Sequence, residues 1–288
     1  MARLILDCDT KNEIDDQFAI TYAIGCERAV PGTNVLGVVN VQNTHANGPD
    51  SVTIYQEEAR LILEALGRTD IPNLRGAEKP LSDDRRPGTA AGVEFIIEAA
   101  RADDPEPLYV VGTGPATDLA SAIMRAPDIQ LRATFVWLGG VRNAEMHKQY
   151  GEEWNKIGDP WAAKSLFESK ARLIHVPAFG VTQKLVWQTG ELVEALRRMG
   201  RPIHLLLANR VITHMKDWRG GRKEFWDIGA VDVVVHPEWH TIIEQPAHGF
   251  GKDAAWVIPG RGTRTISFVD DLQPEDILAE ALNVLRKL

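Results

Sequence analysis

Five carboxylates lie within ten residues near the start of the chain: Asp7, Asp9, Glu13, Asp15 and Asp16, in Leu4-Ile-Leu-Asp-Cys-Asp-Thr-Lys-Asn-Glu-Ile-Asp-Asp-Gln-Phe-Ala. Ionised carboxylates only accept hydrogen bonds, so they do not neutralise one another. Helix capping accounts for one or two of those at 13–16, because a helix N-terminus favours anions. It does not account for Asp7 and Asp9, which follow an apolar run and share one face of a strand while Cys8 points away. Like charges this close repel by a few kcal/mol even at an effective dielectric of about 20. A bound divalent cation removes the conflict. Donors that are all oxygen point to Ca2+ or Mg2+ and away from zinc.

The elements that must position this cluster are legible as short apolar runs alternating with helical patterns. Strands are expected at Leu4–Leu6, Val35–Val41, Leu108–Val111, Thr134–Leu138, Leu173–Val176 and Val231–Val235, most of them rich in β-branched residues and bounded by Gly, Pro, Asp or Asn. Over 51–66, Val52, Tyr55, Ala59, Ile62 and Leu66 fall on one helical face, and Gly67 follows as a stop. Pro274 opens a last helix with Leu278, Leu282 and Leu285 on one stripe. A short loop, 10–14, leads from the first strand into a helix carrying Phe18, Ala19, Tyr22 and Ala23. Segments 78–91 and 216–224 read as loops. The fold class is α/β: a mostly parallel open sheet with helices on both faces, Rossmann-like, in one domain over 1–288. In such sheets the site lies beyond the carboxyl ends of the strands, where Asp7 and Asp9 stand.

Two known families open with such a strand and aspartate pair. Asp7-Cys8-Asp9-Thr10-Lys11 is similar to the Asp-x-Asp-x-Thr/Val opening of Mg2+-dependent phosphohydrolases of the haloacid-dehalogenase type. Lys11 stands where Thr or Val belongs, and that pattern has no use for Asp15-Asp16. The cluster also resembles the signature of the inosine-uridine-preferring nucleoside hydrolases, Asp-x-Asp-Pro-Gly-x-Asp-Asp. Both halves are intact as Asp7-Cys-Asp9 and Asp15-Asp16, with five residues between them instead of three. The resemblance continues along the chain. Leu36 to Val41 followed by Asn43 resembles the family's second strand and its Asn. Gly76-Ala77 with Pro80-Leu81 resembles Gly-Ala-x-x-Pro-Leu. Thr113-Gly-Pro-Ala-Thr117-Asp118-Leu-Ala resembles Thr-Gly-Pro-x-Thr-Asn-Leu-Ala. Leu138-Gly139-Gly140 matches Met-Gly-Gly, Glu153-Trp154-Asn155 with Asp159-Pro160 resembles Glu-Phe-Asn with Asp-Pro, and Trp226-Asp227 stands at the family's His-Asp.

This resemblance implies a hydrolase that cleaves the N-glycosidic bond of a ribonucleoside to ribose and free base. It implies Ca2+ held by Asp9, Asp16, the Thr113 carbonyl and Asp227. Asp9 would be the base that deprotonates a Ca2+-held water for attack on the anomeric carbon, with oxocarbenium character developing on the sugar. Asp15, Asn43, Leu138, Glu153, Asn155 and Trp226 would contact the substrate, and Asp7 would stand behind them, orienting the loop. Indole is no titratable acid near neutrality, so Trp226 removes the His that protonates the leaving base. Trp226 is then either a stacking surface for a purine or a core residue. His45 and His147 are the alternative leaving-group acids. With that acid gone, the alternative reading is a ribose- or nucleoside-binding homologue that turns over weakly.

The 288-residue chain carries 32 Lys and Arg against 40 Asp and Glu, a net charge of −8, which argues against a nucleic-acid partner. Two cysteines, Cys8 and Cys26, are too few for a disulfide framework. There is no secretory pattern and no apolar run of about 18 residues, so no membrane span and a cytoplasmic protein are expected. The partner expected is a small-molecule ribonucleoside, and the resemblance adds a homodimer or homotetramer.

Overall fold

The computed structural model describes residues 2–30, 32–83 and 85–288. Eight strands form one sheet: β1 (Ala2–Cys8), β2 (Thr33–Asn40), β3 (Asn73–Arg75), β4 (Leu108–Gly112), β5 (Ala133–Leu138), β6 (Arg172–Val176), β9 (His240–Phe250) and β10 (Trp256–Leu272). Two short strands, β7 (Val186–Gln188) and β8 (Arg222–Glu224), pair apart from it. The order across the sheet is β3-β2-β1-β4-β5-β6-β10-β9. Every neighbouring pair is parallel except β10 with β9, which closes one edge as an antiparallel hairpin. The chain thus winds outward in one direction through β2 and β3, then in the other through β4, β5 and β6. The reversal falls between β1 and β4, where Asp7 lies opposite Gly112. That is the switch point at which such sheets open a crevice.

The helices are α1 (Asp15–Ala29), α2 (Thr44–Asn47), α3 (Ser51–Leu66), α4 (Ala91–Arg101), α5 (Thr117–Arg125), α6 (Ala144–Tyr150), α7 (Trp154–Gly158), α8 (Pro160–Glu168), α9 (Thr189–Met199), α10 (Pro202–His214), α11 (Trp226–Val235) and α12 (Pro274–Lys287). Alternation along β1 feeds two cores. Leu4, Leu6 and Cys8 pack with α1, α3, α9, α10, α11 and α12, while Ile5 packs with α4, α5 and α8 on the other face. Gly67 ends α3 at φ 66, a left-handed turn that glycine enters freely.

Three expectations are corrected. Val231–Val235 is not a strand but the last half of α11. This helix is buried nearly all round, so its apolar run carries no helical periodicity and is indistinguishable from a buried strand. In α12 the buried stripe is Ile277, Ala281, Val284 and Leu285; Leu278 and Leu282 are only half-buried. The 216–224 loop ends in β8. Among the described residues, no helix is long and apolar enough to cross a membrane.

Candidate active site

Two helix N-termini face one spot. Asp15 and Asp16 begin α1, and Asp227 is the second residue of α11. All three are buried, and each offers a carboxylate oxygen such that the three lie within 4.8 Å of one another. Burial, then the neighbouring aspartates, push Asp16 and Asp227 well above the ordinary carboxylate range. Burial raises Asp15 to about 7, opposed by the charge of Lys223. Hard oxygen donors, buried together and short of positive charge, fit a Ca2+- or Mg2+-class ion. Asp16 Oδ1 accepts from the Thr113 hydroxyl at 2.7 Å, tying α1 to the end of β4.

Asp9 leaves β1 on the same side and touches Asp16. Its Oδ2 accepts from Asn43 Nδ2 at 2.7 Å and from Asn12 Nδ2 at 3.1 Å. Burial lifts Asp9 to about 6 despite these bonds. Between Asp9 and Asp15 the loop turns at Lys11, whose φ of 94 is left-handed; the family signature has glycine two residues after its second aspartate, which is this position. Asp7 points beneath the site at Asp118 of α5. Both are fully buried, and burial with the second carboxyl raises Asp7 far above its usual range, so this pair retains a proton. Asp118 Oδ1 also accepts from the Ala77 N–H at 2.7 Å.

These carboxylates floor an open cleft of about 630 Å³ whose walls include Leu138, Glu153, Trp154, Asn155, Phe179 and Trp226. Glu153 and Asn155 do not alternate along an extended segment. Glu153 caps α7, its oxygens accepting from the N–H groups of Asn155 (2.9 Å), Gly140 (2.8 Å) and Lys156 (3.2 Å). Asn155 Nδ2 donates to the carbonyls of Thr113 (2.6 Å) and Leu138 (3.0 Å), clamping β4 to β5. The Thr113 carbonyl expected on the cation therefore already has one partner, and a second lone pair remains. Gly140 has φ 71, and a Cβ there would collide with the Trp256 indole. Gly140→Ala is therefore expected to cost on the order of 2–4 kcal/mol in a denaturant titration and to disturb the cap on Glu153.

The structure brings Asp9, Asp15, Asp16, Thr113, Leu138, Glu153, Asn155, Trp226 and Asp227 to this cleft. Asn43, expected on the substrate, is fully buried and instead holds Asp9 and caps α2. Trp226 is half-buried and lines the cleft, its ring edge-on to Phe179 at 5.6 Å, so it is not a plain core residue. Neither histidine proposed as an acid lines the cleft. His45 meets Trp154 at a tilt, ring centres 5.2 Å apart, and His147 lies toward His248. Sequence reasoning missed Phe179 and Lys223, and passed over Trp154 although it stands between Glu153 and Asn155. The insertion residues Asn12 and Glu13 both enter the lining.

An open, mostly parallel sheet with a carboxylate cluster at its switch point, opening on an aromatic-walled cleft, is the arrangement of α/β proteins that carry their site at the strand ends. Residues 4–269 match the profile of the family described as inosine-uridine preferring nucleoside hydrolase. The chain belongs to that family and is a ribonucleoside N-glycosyl hydrolase, and the haloacid-dehalogenase alternative is set aside. It is 26% identical over 270 residues to the pyrimidine-specific ribonucleoside hydrolase RihA of Citrobacter koseri, covering 84% of this chain and 82% of that one. It is 29% identical over 203 residues to the probable uridine nucleosidase 2 of Arabidopsis thaliana, covering 62% of this chain and 60% of that one. The fold matches a plant nucleoside hydrolase (TM-score 0.78, 19% identity, 99% of both chains) and a purine-preferring ribonucleoside hydrolase of Gardnerella vaginalis (TM-score 0.75, 21% identity, 99% and 98%).

Proposed function

We propose that residues 1–288 act as one Ca2+-dependent domain that hydrolyses purine ribonucleosides to ribose and free base in the cytoplasm, as a homodimer or homotetramer. The observation that carries this is the convergence of Asp9, Asp15, Asp16 and Asp227 on the floor of a cleft walled by Trp154, Phe179 and Trp226. Asp16, Asp227 and Asp9, with the free lone pair of the Thr113 carbonyl, would hold the ion. When bound, it supplies positive charge that orients the ribose diol and makes an adjacent water more acidic. Asp9 accepts the proton of the attacking water; the two amides on its Oδ2 fix its direction. The water oxygen bonds to the anomeric carbon, the N-glycosidic bond breaks, and its electron pair leaves with the base. Asp15 and the remaining acceptor capacity of Glu153 and Asn155 hold ribose hydroxyls. The base lies against Trp226.

Incubation with inosine, adenosine and uridine, read by reducing-sugar release, tests this. Release that EDTA abolishes and Ca2+ restores supports it, with inosine or adenosine turned over faster than uridine. Tight ribose binding with no release would instead establish the binding-homologue reading. Trp226→Ala is expected to raise KM for a purine nucleoside by about tenfold, the loss of about 1–1.5 kcal/mol of ring contact, with less effect on uridine.

A further inference from the structure

The family signature joins its two aspartate pairs by Pro-Gly-x. Here Thr10-Lys-Asn-Glu-Ile14 joins them, two residues longer and without proline or glycine. A longer, less constrained connection must still hold Asp9 and Asp15 to about 0.5 Å of a working geometry. Two ties meet this need. On the outer side Lys11 Nζ lies 3.5 Å from Glu58 Oε2, and the fully buried Glu58 is itself held by Arg210 Nε at 2.5 Å. On the cleft side Glu13 Oε2 lies 2.5 Å from Lys223 Nζ.

The second tie joins an exposed loop to a buried cation. The Lys223 side chain is only 9% exposed, against 40% for Glu13. A buried ammonium is tolerated only with partners, which fixes where Lys223 sits. Its other contacts are the Glu224 carbonyl at 2.5 Å and the Trp226 ring, whose centre lies 6.0 Å from the ammonium. It occupies the middle of β8, opposite Trp187 of β7. That platform is anchored by rings: Trp187 and Phe225 lie 4.8 Å apart, and Phe18 of α1 lies 4.7 Å from Phe225. The platform therefore rides on the helix that starts with Asp15 and Asp16, and the Lys223 charge reaches both Asp15 and Asp227.

We propose that the Glu13–Lys223 pair is a strut that fixes the 10–14 loop, and that Lys223, outside the cleft lining, is a positioning residue for Asp9 and Asp15. The part of this that concerns the ion rests on the Ca2+ reading above; the strut itself does not. A strut and a bare charge effect differ in sign. Removing an anion near the cage weakens a divalent cation by charge alone, and removing a cation strengthens it. Loss of a strut weakens it in both cases.

The test uses the full chain with Glu13→Gln, Lys223→Met, the double variant and Lys223→Arg. Amide hydrogen exchange across 10–17 is measured in EDTA, and Ca2+ affinity by calorimetry. Each single variant is expected to exchange about tenfold faster, with no further gain in the double variant, and Ca2+ affinity falls about tenfold in both. Lys223→Arg recovers most of both. Unchanged exchange in the single variants overturns the proposal, as does Ca2+ binding that weakens in Glu13→Gln but tightens in Lys223→Met. A wild-type chain that takes no Ca2+, while the variants still show the exchange changes, refutes the Ca2+ reading and leaves the strut standing. Should Lys223→Met fail to fold, Glu13→Gln at its half-exposed position decides by exchange alone.

Discussion

Asp9→Asn is expected to lower kcat by about a thousandfold while leaving the fold intact. The change keeps the shape of the side chain. Its carbonyl oxygen can still accept from Asn12 and Asn43, whose amides hold Oδ2 at 3.1 and 2.7 Å. What disappears is the proton acceptor, together with one negative charge from the proposed ion site, so the kinetics are read at saturating Ca2+. KM should move less than tenfold, because ribose would be held chiefly by groups other than Asp9. Removing one buried negative charge beside Asp16 relieves repulsion, so the cation-free variant should unfold at no lower a temperature than the parent. Steady-state kinetics with inosine check the first part and calorimetric melting the second. An Asp9→Asn protein with undiminished turnover refutes the assignment of the base.

The second large effect concerns pH and the ion together. Burial raises Glu153 from the usual 4.5 to about 7 and Asp15 to about 7, and it also pushes Asp16 and Asp227 well above the ordinary carboxylate range. A carboxyl raised by folding binds its proton more tightly in the folded chain. The folded state then holds more protons than the unfolded state, and stability falls as pH rises through the shifted range. His175 and His248 act in the opposite sense. Burial lowers them to about 3 and about 4, so they cost stability mainly below the usual histidine value of 6.5. Between pH 6.5 and about pH 8.5 the carboxyls dominate, because a histidine buried neutral still costs only about 0.4 kcal/mol at pH 6.5, where half of the unfolded imidazoles are charged. In EDTA the chain is expected to lose on the order of 3 kcal/mol between these values. Saturating Ca2+ should restore most of it, and should add more stability at the higher pH than at the lower. Denaturant titrations at the four conditions decide; equal stability in EDTA at both pH values would sink the argument.

How far the sequence could be read follows from what each segment exposes. The parallel core strands were legible because strands buried on both faces are short unbroken β-branched runs, as at Val35–Val41 and Thr134–Leu138. The same rule misread Val231–Val235, a helix buried on all sides. The hairpin of β9 and β10 escaped notice because its long edge strand alternates little, exposes Thr241 to Glu244 and carries Pro246 and Gly249. In the site, Asp7, Asp9, Asp15 and Asp16 announced themselves by sheer density of charge, and Asp227 by its motif. Asn43 was legible as a site residue, but its clamp on Asp9 was not, since its residue type suits a substrate contact and an aspartate clamp equally. Lys223 gave no signal: one lysine in a charged stretch, Arg219-Gly-Gly-Arg-Lys-Glu, looks solvated until the fold buries it. Phe179 follows β6 outside any strand pattern; it lines the cleft where an isolated bridge pairs it with Val141.

The cage has one further consequence, and it concerns time. Its members come from the first strand and helix, from the end of β4 and from the start of α11, so Asp15 and Asp227 are separated by most of the chain. Bringing them together closes a loop of most of the chain, a non-local contact of the kind that slows folding. An ion that binds only the finished cage cannot hasten the search for the fold. It would act on the return path instead, holding distant elements together and slowing their separation. In this protein the ion would serve less as a template for folding than as a latch on the folded state, lengthening its lifetime without shortening its assembly.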